Sequence, residues 1–387
     1  MENELSTQTG RRLKIAYVAS YNAKDVNNWS GTGAAMARLL EKHIGDIEYI
    51  DSLSVRENIF DILTKKTIKL FTNKRYATDR TEKASRQFAQ TVDEKIAGKE
   101  FDLIFSPGTI PVAWLKTKIP IVFWTDATFS SMVGYYFNDL SKGAIRNGNK
   151  VEKQALENCR LAIYCSPWAA NSAINDYGVD PNKVHIVPFG ANIENGATAE
   201  FSIKKAAGPV NLLFVGKEWE RKGGSIAVDT LFELEKAGIP ATLTIVGCRP
   251  PKQPHTKNIQ VYEFLDKNIK EEFDILNKLY RAADFFLLPT RSECFAIVLS
   301  EALSFGLPAL TTNTGGLSSI VDDGINGFLF PLAATGKDYA DKIEAVIGNP
   351  EHYSSLRIGA RKKFEEVLNW DSSGKALKRL LESEGML

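Results

Sequence analysis

Two glutamates eight positions apart are the strongest sign of chemistry in this chain of 387 residues. Glu293 precedes, and Glu301 lies within, an apolar-rich segment that predicts a helix over 296–305, ended by Gly306 and Pro308. This spacing puts the second carboxylate about one and a half turns into the helix, so both can face one crevice. A carboxylate among apolar neighbours needs a partner or a ligand to offset its desolvation. Vicinal hydroxyls, such as those of a ribose, would meet that need.

A second candidate for chemistry is the sequence GKEWERKGG, residues 216–224. Lys217 and Lys222 lie between a predicted strand and a predicted helix, and glycines such as Gly216 let the backbone approach an anion. A diphosphate leaving group needs fixed cations where its charge develops, and two lysines beside a helix start could supply them. No Gly-Lys pair is followed by Ser or Thr, so the sequence contains no P-loop.

The elements that must position these residues follow a repeated pattern. Short apolar runs alternate with helical segments, which predicts parallel sheets flanked by helices. The run Phe285–Leu288 ends just before the Glu293 loop, at the strand end where ligands collect in open parallel sheets. The other predicted strands are 13–19, 102–106, 119–124, 161–165, 212–215, 261–265 and 309–312. A last helix is predicted to begin in the sequence NWDSS, with Asp371 or Ser372 as its N-cap.

Length and composition limit the class of protein. The chain is too long for one ordinary core and suits two domains. A formal net charge of +1 provides no basic excess, so we expect no nucleic acid partner. The four cysteines form no C-x-x-C pair and the four histidines do not cluster, so we expect no bound metal and no cofactor. No apolar run reaches the length of a membrane span, and the N-terminus has no signal core, so we expect a cytoplasmic protein.

The residues 289–316, PTRSECFAIVLSEALSFGLPALTTNTGG, and the later DDGINGFLF resemble the nucleotide-binding half of retaining glycosyltransferases of family 4. The resemblance is strong over 206–335 and weaker over 20–160. It implies the α/β fold called GT-B, in which two Rossmann-like, doubly wound parallel-sheet domains face a cleft. It also implies an N-terminal acceptor domain (1–200), a C-terminal nucleotide-sugar donor domain (206–370) and a C-terminal helix (371–387) that returns to the first domain.

This resemblance assigns roles to the residues of the second domain. Glu301 would hold the ribose of the donor, and Glu293 would lie beside the transferred sugar. Lys217 and Lys222 would hold the diphosphate. The remaining donor-binding residues that it implies are Gly216, Leu265, Cys294, Phe295 and Ala296. The loop 266–268 lies where the family packs the nucleotide base. Ala296 stands where the family usually has glycine.

The first domain adds two candidates. Asp126 follows a predicted strand, and on local grounds it could equally be a site residue or a helix N-cap. The resemblance favours the site, at a position where the family often has histidine. The loop WSGTG, which contains Gly31, Thr32 and Gly33, could offer backbone N–H groups to a polar ligand and matches the family's loop at the cleft edge. The predicted catalytic residues are Glu293, Asp126 and Lys222.

One segment, residues 56–86, is unusually basic. It has nine Lys or Arg against four Asp or Glu, with apolar residues among them. Such a segment could lie on the anionic inner face of a membrane or hold an acidic acceptor. It could equally be an amphipathic helix with a solvated face.

The resemblance implies a retaining glycosyltransferase that moves a hexose-type sugar from a nucleotide-diphosphate donor to a hydroxyl acceptor. UDP is the commonest nucleotide of the family, and the nucleotide sugar is a co-substrate. The acceptor would be a saccharide or a lipid-linked or protein-linked group. Two alternatives stay open: a catalytically silent nucleotide-sugar-binding or scaffolding protein, which Ala296 and the missing histidine would explain, and a nucleotide-sugar epimerase.

Overall fold

The computed structural model describes residues 11–56, 59–193, 208–252 and 256–387. Within these residues the strands form two six-stranded sheets in which every neighbouring pair is parallel. Helices lie between most of the successive strands in both sheets. The predicted fold class, α/β with two doubly wound parallel sheets, is therefore confirmed.

The first sheet uses the first half of the chain. Its strands are β1 (Leu13–Val18), β2 (Gly45–Ile50), β3 (Leu103–Ser106), β4 (Ile121–Thr125), β5 (Leu161–Tyr164) and β6 (Val184–Ile186). Its helices are α1 (Thr32–His43), α2 (Ile59–Thr72), α3 (Glu82–Ile96), α4 (Phe129–Met132), α5 (Lys142–Asn158) and α6 (Pro167–Tyr177). The strand order is β2-β1-β3-β4-β5-β6, so the chain reverses direction across the sheet between β1 and β3.

The second sheet repeats this plan. Its strands are β7 (Val210–Val215), β8 (Ala241–Val246), β9 (Ile259–Tyr262), β10 (Phe285–Leu288), β11 (Ala309–Thr312) and β12 (Gly327–Phe330). The helices of the second half are α7 (Trp219–Lys222), α8 (Gly224–Lys236), α9 (Lys270–Ala282), α10 (Ile297–Ser304), α11 (Gly336–Ile347), α12 (Pro350–Glu366) and α13 (Trp370–Ser383). The order is β12-β11-β10-β7-β8-β9, which places the reversal between β7 and β10.

The apolar runs of the sequence become the central strands because both faces of a parallel sheet are covered by helices. All four residues of β10 are buried, and so are all four of β11. The strands predicted at Phe285–Leu288 and at 309–312 are confirmed with the same bounds. The strand predicted at 261–265 is wrong by a few residues: pairing with β8 ends at Tyr262, where Gly247 turns the neighbouring chain away at φ +98°.

The predicted N-cap of the last helix is also wrong. Asn369, and neither Asp371 nor Ser372, caps α13, because the Asn369 side chain accepts a hydrogen bond from the Ser372 N–H at 2.9 Å. An asparagine one position before the helix can reach this N–H, whereas residues within the first turn cannot.

Helix α13 packs on the first half of the molecule. The Ser373 hydroxyl donates to the Pro188 carbonyl at 2.7 Å, and the Trp370 Nε1–H donates to Asn192 Oδ1 at 2.9 Å. Asn192 in turn donates through Nδ2 to the Ser30 carbonyl at 2.7 Å. The end of the second half is thereby joined to the loop after β1. The predicted boundary between residues 200 and 206 falls in 194–207, outside the described residues.

Candidate active site

The loops at the two topological reversals face each other across one cavity of about 600 Å³. In an open parallel sheet, the crevice at the carboxyl ends of the strands beside the reversal is where ligands bind. The second sheet contributes the loops after β7 and β10, and the first sheet contributes the loops after β1, β3 and β4. The cavity is therefore a cleft between the two halves of the chain.

Glu293 lies in the loop after β10 and is the most heavily contacted acid of this cleft. Its side chain is 8 % exposed and forms ion pairs with Lys222 and, at 3.3 Å, with Arg221. The Tyr136 hydroxyl, from the first half, donates to Glu293 Oε1 at 2.7 Å. Burial raises the pKa of Glu293, but Lys222 and Arg221 outweigh burial and hold that pKa below its usual value. The carboxylate is consequently charged at neutral pH.

The backbone around Glu293 is fixed as firmly as its side chain. Its N–H donates to the Tyr135 hydroxyl at 2.7 Å, and this hydroxyl lies 2.8 Å from Thr314 Oγ1. Gly315 has φ +56°, and a Cβ built on it would lie 1.8 Å from the Glu293 carbonyl oxygen. Glycine is therefore required at position 315, because any side chain would push the Glu293 loop into the cleft.

Glu301 lies on α10 and is fully buried. Its Oε1 forms an ion pair with Lys267, and its Oε2 accepts a hydrogen bond from the Tyr280 hydroxyl at 3.2 Å. Lys267 is in the loop after β9, in the stretch where the resemblance places the nucleotide base. Both Glu301 and Lys267 line the cavity. The partner that a buried acid requires is thus present, and the Lys267 side chain is 27 % exposed.

The two predicted lysines differ in their environments. Lys222 is buried at the end of α7, where it pairs with Glu293. Lys217 lies on the cavity wall with its Nζ 5.1 Å from the centre of the Phe264 ring. Gly216 precedes it, and a Cβ there would lie 2.9 Å from Lys222 Cγ. Arg221 lies between these lysines in the sequence and was given no role. Its guanidinium donates hydrogen bonds to the Tyr136 hydroxyl, the Ser292 carbonyl and the Glu293 carboxylate.

The remaining predicted donor-binding residues also line the cavity: Leu265, Cys294, Phe295 and Ala296. Phe295 meets Phe189 of the first half edge to face, with 5.4 Å between ring centres. Ala296 has φ −82°, a value that alanine adopts without strain. The replacement of the family's glycine therefore causes no backbone strain at this position. Burial raises the pKa of the Cys294 thiol well above its usual value.

Asp126 directly follows β4 and lines the cleft opposite Glu293. It is not an N-cap: Thr128 caps α4 by accepting a hydrogen bond from the Ser131 N–H at 3.1 Å. The Trp29 Nε1–H lies 3.4 Å from Asp126 Oδ2. Burial raises the pKa of Asp126 to about 6, and the charge on Glu293 contributes in the same direction. The structure thus favours the site interpretation over the cap interpretation.

In the predicted cleft loop, Thr32 lines the cavity, whereas Gly31 and Gly33 lie behind it. Gly31 adopts φ +83°, which permits the turn into α1. A Cβ on Gly33 would lie 2.4 Å from the Tyr21 hydroxyl oxygen. The two glycines therefore shape the loop by close packing, and the expectation that the loop offers N–H groups to a polar ligand stays a prediction.

Over the described parts of the chain, no group of three His, Cys, Asp or Glu side chains could hold a metal ion. Four residues that matter most to the geometry were given no role from the sequence: Tyr135, Tyr136, Lys267 and Tyr280. Tyr136 is 157 positions from Glu293, so no local pattern could have linked them. Lys267 alone had a signal, since it falls in the loop that the resemblance assigned to the nucleotide base.

Comparison with known proteins assigns this chain to a family. Residues 55–195 match the model of the glycosyltransferase family 4 domain, and residues 197–363 match the model of the group 1 glycosyl transferases. The two matches adjoin and together span most of the chain. The fold and site are of the GT-B glycosyltransferase class, and the chain belongs to glycosyltransferase family 4.

Relatives and solved structures agree with this assignment. The D-inositol 3-phosphate glycosyltransferase of Corynebacterium efficiens is 26% identical over 287 residues, which cover 68% of this chain and 66% of that protein. Among the curated relatives it matches, the chain spans about half to two thirds of their length.

Two solved structures share the fold over almost the whole chain. Sucrose-phosphate synthase of Thermosynechococcus elongatus has a TM-score of 0.67 at 17% identity, covering 97% of this chain and 99% of that one. Anabaena HepE in complex with UDP-glucose has a TM-score of 0.63 at 16% identity, covering 96% and 100%. At these identities the likeness concerns the fold alone.

Proposed function

We propose that this protein is a retaining glycosyltransferase that moves a hexose-type sugar from a UDP-sugar to a hydroxyl of a saccharide, lipid-linked or protein-linked acceptor. The observation that carries the proposal is the Glu293 carboxylate, which two cations keep charged at the meeting point of both halves. A second buried carboxylate, Glu301, lines the same cavity. The UDP-glucose complex of a protein with this fold supports the choice of donor.

In the proposed reaction the bond between the anomeric carbon and the diphosphate oxygen breaks, and a bond to the acceptor oxygen forms on the same face. The acceptor proton passes to the leaving phosphate. Lys217 and the uncapped N-terminus of α8 stabilise the charge that develops on the diphosphate. Glu293, held in its charged form, stabilises the positive charge that grows on the sugar. These protein groups can do the work of a divalent ion, so the proposal includes no metal and no cofactor.

The cleft must also protect the donor from water, because an activated sugar phosphate otherwise hydrolyses. Two contacts close the cleft in this structure. The Tyr136 hydroxyl binds Glu293, and the Phe189 ring packs against Phe295. Each contact joins a residue of the first half to one of the loop after β10. The acceptor would then enter from the first half while the donor is held by the second.

The direct test is incubation with a panel of labelled UDP-, GDP- and ADP-sugars and a panel of saccharide acceptors, followed by proton NMR of the first-formed product. Transfer with an α-linkage from an α-configured donor is expected. A β-linkage would contradict retention and make Asp126 the base. Epimer formation without transfer would establish the epimerase alternative. Binding without turnover would establish the silent alternative, for which Ala296 and the missing histidine are the motivation.

A peripheral membrane contact is a second part of the proposal, and helix α2 carries it. This helix has no buried residue, and its outward face is apolar: Ile59, Phe60, Leu63, Leu70 and Phe71 are 58 to 79 % exposed. A helix that only rests on its own domain turns its apolar face inward. Here the inward side carries Asp61, which pairs with Lys83 on α3 at 2.6 Å. The apolar face of α2 therefore points outward and a charged side chain points inward, the reverse of the usual arrangement. This orientation favours contact with a lipid surface.

The charge of the segment indicates the lipid class. Lys66 and Lys69 are exposed on α2, and Lys74 follows it. Cations flanking an exposed apolar face favour an anionic membrane surface. Among the described helices, none is long and apolar enough to cross a bilayer. The proposed contact is therefore insertion of one helix face into the lipid headgroup region.

Sedimentation with liposomes tests this contact. The pair Lys66→Glu and Lys69→Glu should lower binding to anionic liposomes by roughly 1 kcal/mol per residue, with no effect on neutral ones. Phe60→Ser with Phe71→Ser should lower binding to both. Lys95→Glu, at an exposed position of α3, is the matched control. If all variants bind the liposomes equally, the segment is an amphipathic helix with a solvated face and the membrane contact is refuted. Lys65, also basic, is half-buried on the inward side and is not varied.

A further inference from the structure

An acidic side chain that has no part in the proposed chemistry lines the first-half wall of the cleft. Glu152, on α5, is 3 % exposed. Its Oε2 accepts a hydrogen bond from the Thr109 hydroxyl at 2.7 Å. Its Oε1 is buried and has no hydrogen-bonding partner within the part of the chain that the structure describes. Both Glu152 and Thr109 line the same cavity as Glu293 and Glu301.

A buried carboxyl with one oxygen unused is a costly arrangement, because the desolvation of that oxygen is not offset. Burial raises the pKa of Glu152 to about 7, although the Thr109 hydroxyl, the Arg80 guanidinium and the Phe129 N–H all oppose this rise. Arg80 is held over the rings of Phe129 and Phe137, 5.3 and 5.5 Å from their centres. These neighbours restrain the carboxyl without occupying Oε1.

The topology places this carboxyl where a second substrate would bind. Thr109 follows β3, which pairs with β1, and the chain reverses across the first sheet between these two strands. That reversal faces the equivalent reversal of the second sheet, where Glu293 and Lys222 lie. A crevice at such a reversal is the expected ligand position of the sheet. The predicted donor residues line the wall that the second half of the chain contributes, whereas Glu152 and Thr109 line the wall of the first half, which leaves that wall for the other reactant.

We propose that Glu152 and Thr109 form the acceptor subsite, and that Glu152 Oε1 accepts a hydrogen bond from a hydroxyl of an uncharged saccharide or polyol. This assignment rests on the proposed glycosyltransferase function and names the class of acceptor. A phosphate or carboxylate at this point would meet the oxygens of Glu152 and would be repelled by them whenever the carboxyl is charged. A neutral hydroxyl offers the donor that Oε1 lacks. Thr109 sets the orientation of the carboxyl.

The test uses a panel of methyl α-D-glucoside, methyl α-D-galactoside, methyl α-D-mannoside and myo-inositol, measured by saturation-transfer NMR on the full chain with and without UDP. The variants are Glu152→Gln and Thr109→Val, both close in shape to the native side chains. The matched control is Glu157→Gln, which removes the same charge from an exposed position of the same helix. At least one member of the panel should bind the native protein. Its affinity, measured at pH 8 where the Glu152 carboxyl is mostly charged, should fall roughly tenfold or more in Glu152→Gln, the loss expected for a hydrogen bond to a charged group.

Three outcomes overturn the proposal: no member of the panel binds, binding is equal in the native protein and Glu152→Gln, or only a protonated amino sugar added to the panel binds. Thr109→Val should weaken binding in the same direction, so a folding defect in one variant does not decide the result. UDP affinity should be the same in all three variants. If the native protein does not bind UDP, the proposed function is contradicted. Binding of the panel in the absence of UDP would still test whether Glu152 holds the acceptor.

Discussion

The Tyr136 hydroxyl donates a hydrogen bond of 2.7 Å to Glu293 Oε1, and the same hydroxyl accepts one of 2.9 Å from Arg221. Tyr136 belongs to the first half of the chain, and both of its partners belong to the second. The charged centre of the proposed chemistry therefore depends on how the two halves meet. A carboxylate that is aligned only when the halves are together would be ready only when both substrates are enclosed.

Tyr136→Phe should therefore lower turnover and leave the affinity for UDP almost unchanged. Loss of this hydrogen bond should cost about 1 to 3 kcal/mol in kcat, as for a bond to a charged acceptor. Steady-state kinetics with the donor found above, and calorimetry with UDP, measure the two effects. Tyr262→Phe is the control, since its hydroxyl accepts a hydrogen bond from the exposed Gln260 side chain on the same strand. A fall in UDP affinity that matched the fall in turnover would contradict a role in alignment.

Glu301→Ala should weaken UDP binding by about 1 to 3 kcal/mol, because it removes a buried, charged acceptor from the predicted ribose position. Calorimetry with UDP measures this loss. Glu271→Ala, at an exposed position of α9, is the control. Equal UDP affinity in the native protein and Glu301→Ala would refute the ribose assignment.

The variants Lys222→Met and Lys217→Met should distinguish a cation that stabilises the fold from a cation that only binds the donor. Lys222 pairs with a buried carboxylate, so its loss should lower the free energy of unfolding by about 3 kcal/mol in addition to lowering kcat/KM. Lys217 lies on the cavity wall, so its loss should lower UDP affinity and kcat/KM without a comparable change in stability. Urea denaturation and kinetics give both quantities. Unchanged kcat/KM in both variants would show that neither lysine takes part in catalysis.

Glycosyl transfer should continue in EDTA, because Lys217 and the helix N-termini beside it can stabilise the diphosphate. The measurement is the initial rate in EDTA and after adding manganese. A rate that disappears in EDTA and returns with manganese would count against the proposed mechanism.

Asp126→Asn should make the protein more stable at pH 8 and have little effect at pH 4. The folded-state pKa of Asp126 is raised to about 6, so the folded protein holds this proton more tightly than the unfolded chain. The resulting stability is complete below the usual aspartate pKa and is lost as the pH rises through about 6. At pH 8 the charged, desolvated carboxylate should cost about 1 kcal/mol, since partial exposure screens it.

Thermal melting of the native protein and Asp126→Asn at pH 4, 6 and 8 measures this effect. The exposed Asp139→Asn is the control. Glu152 also has a raised pKa, but it is present in both proteins and does not affect their difference. A variant less stable than the native protein at pH 8 would show that the Asp126 carboxylate is stabilised by partners.

The sequence predicts most of this architecture because its signals are local. The strand Phe285–Leu288 is a run of large apolar residues, and such a run is typical of a strand buried on both faces. Glu293 and Glu301 were found because their spacing and their apolar surroundings are visible within ten residues. The positions of Lys217 and Lys222 follow from glycines beside a strand end. Each of these predictions needed only neighbours in the chain.

The contacts that were missed depend on the meeting of distant segments. Tyr136 reaches Glu293 only because two sheets face each other, and nothing near residue 136 indicates this. Glu152 reads as one more polar residue of an amphipathic helix until β3 places Thr109 beside it. The outward apolar face of α2 was hidden for a related reason: periodicity shows that a helix has an apolar face but not which way it points.

The hydrogen bonds through Asn192 have a consequence for how the protein is made. The loop after β1 is synthesised early, yet the side chain that fixes it is itself held by Trp370, about 340 positions later than Ser30. At roughly 5 to 20 residues per second, a ribosome needs tens of seconds to cover that distance. The nascent first half can form its sheet during this interval, but its cleft loop has no support from α13. The full set of hydrogen bonds that holds this loop can form only after the last helix of the chain has been made.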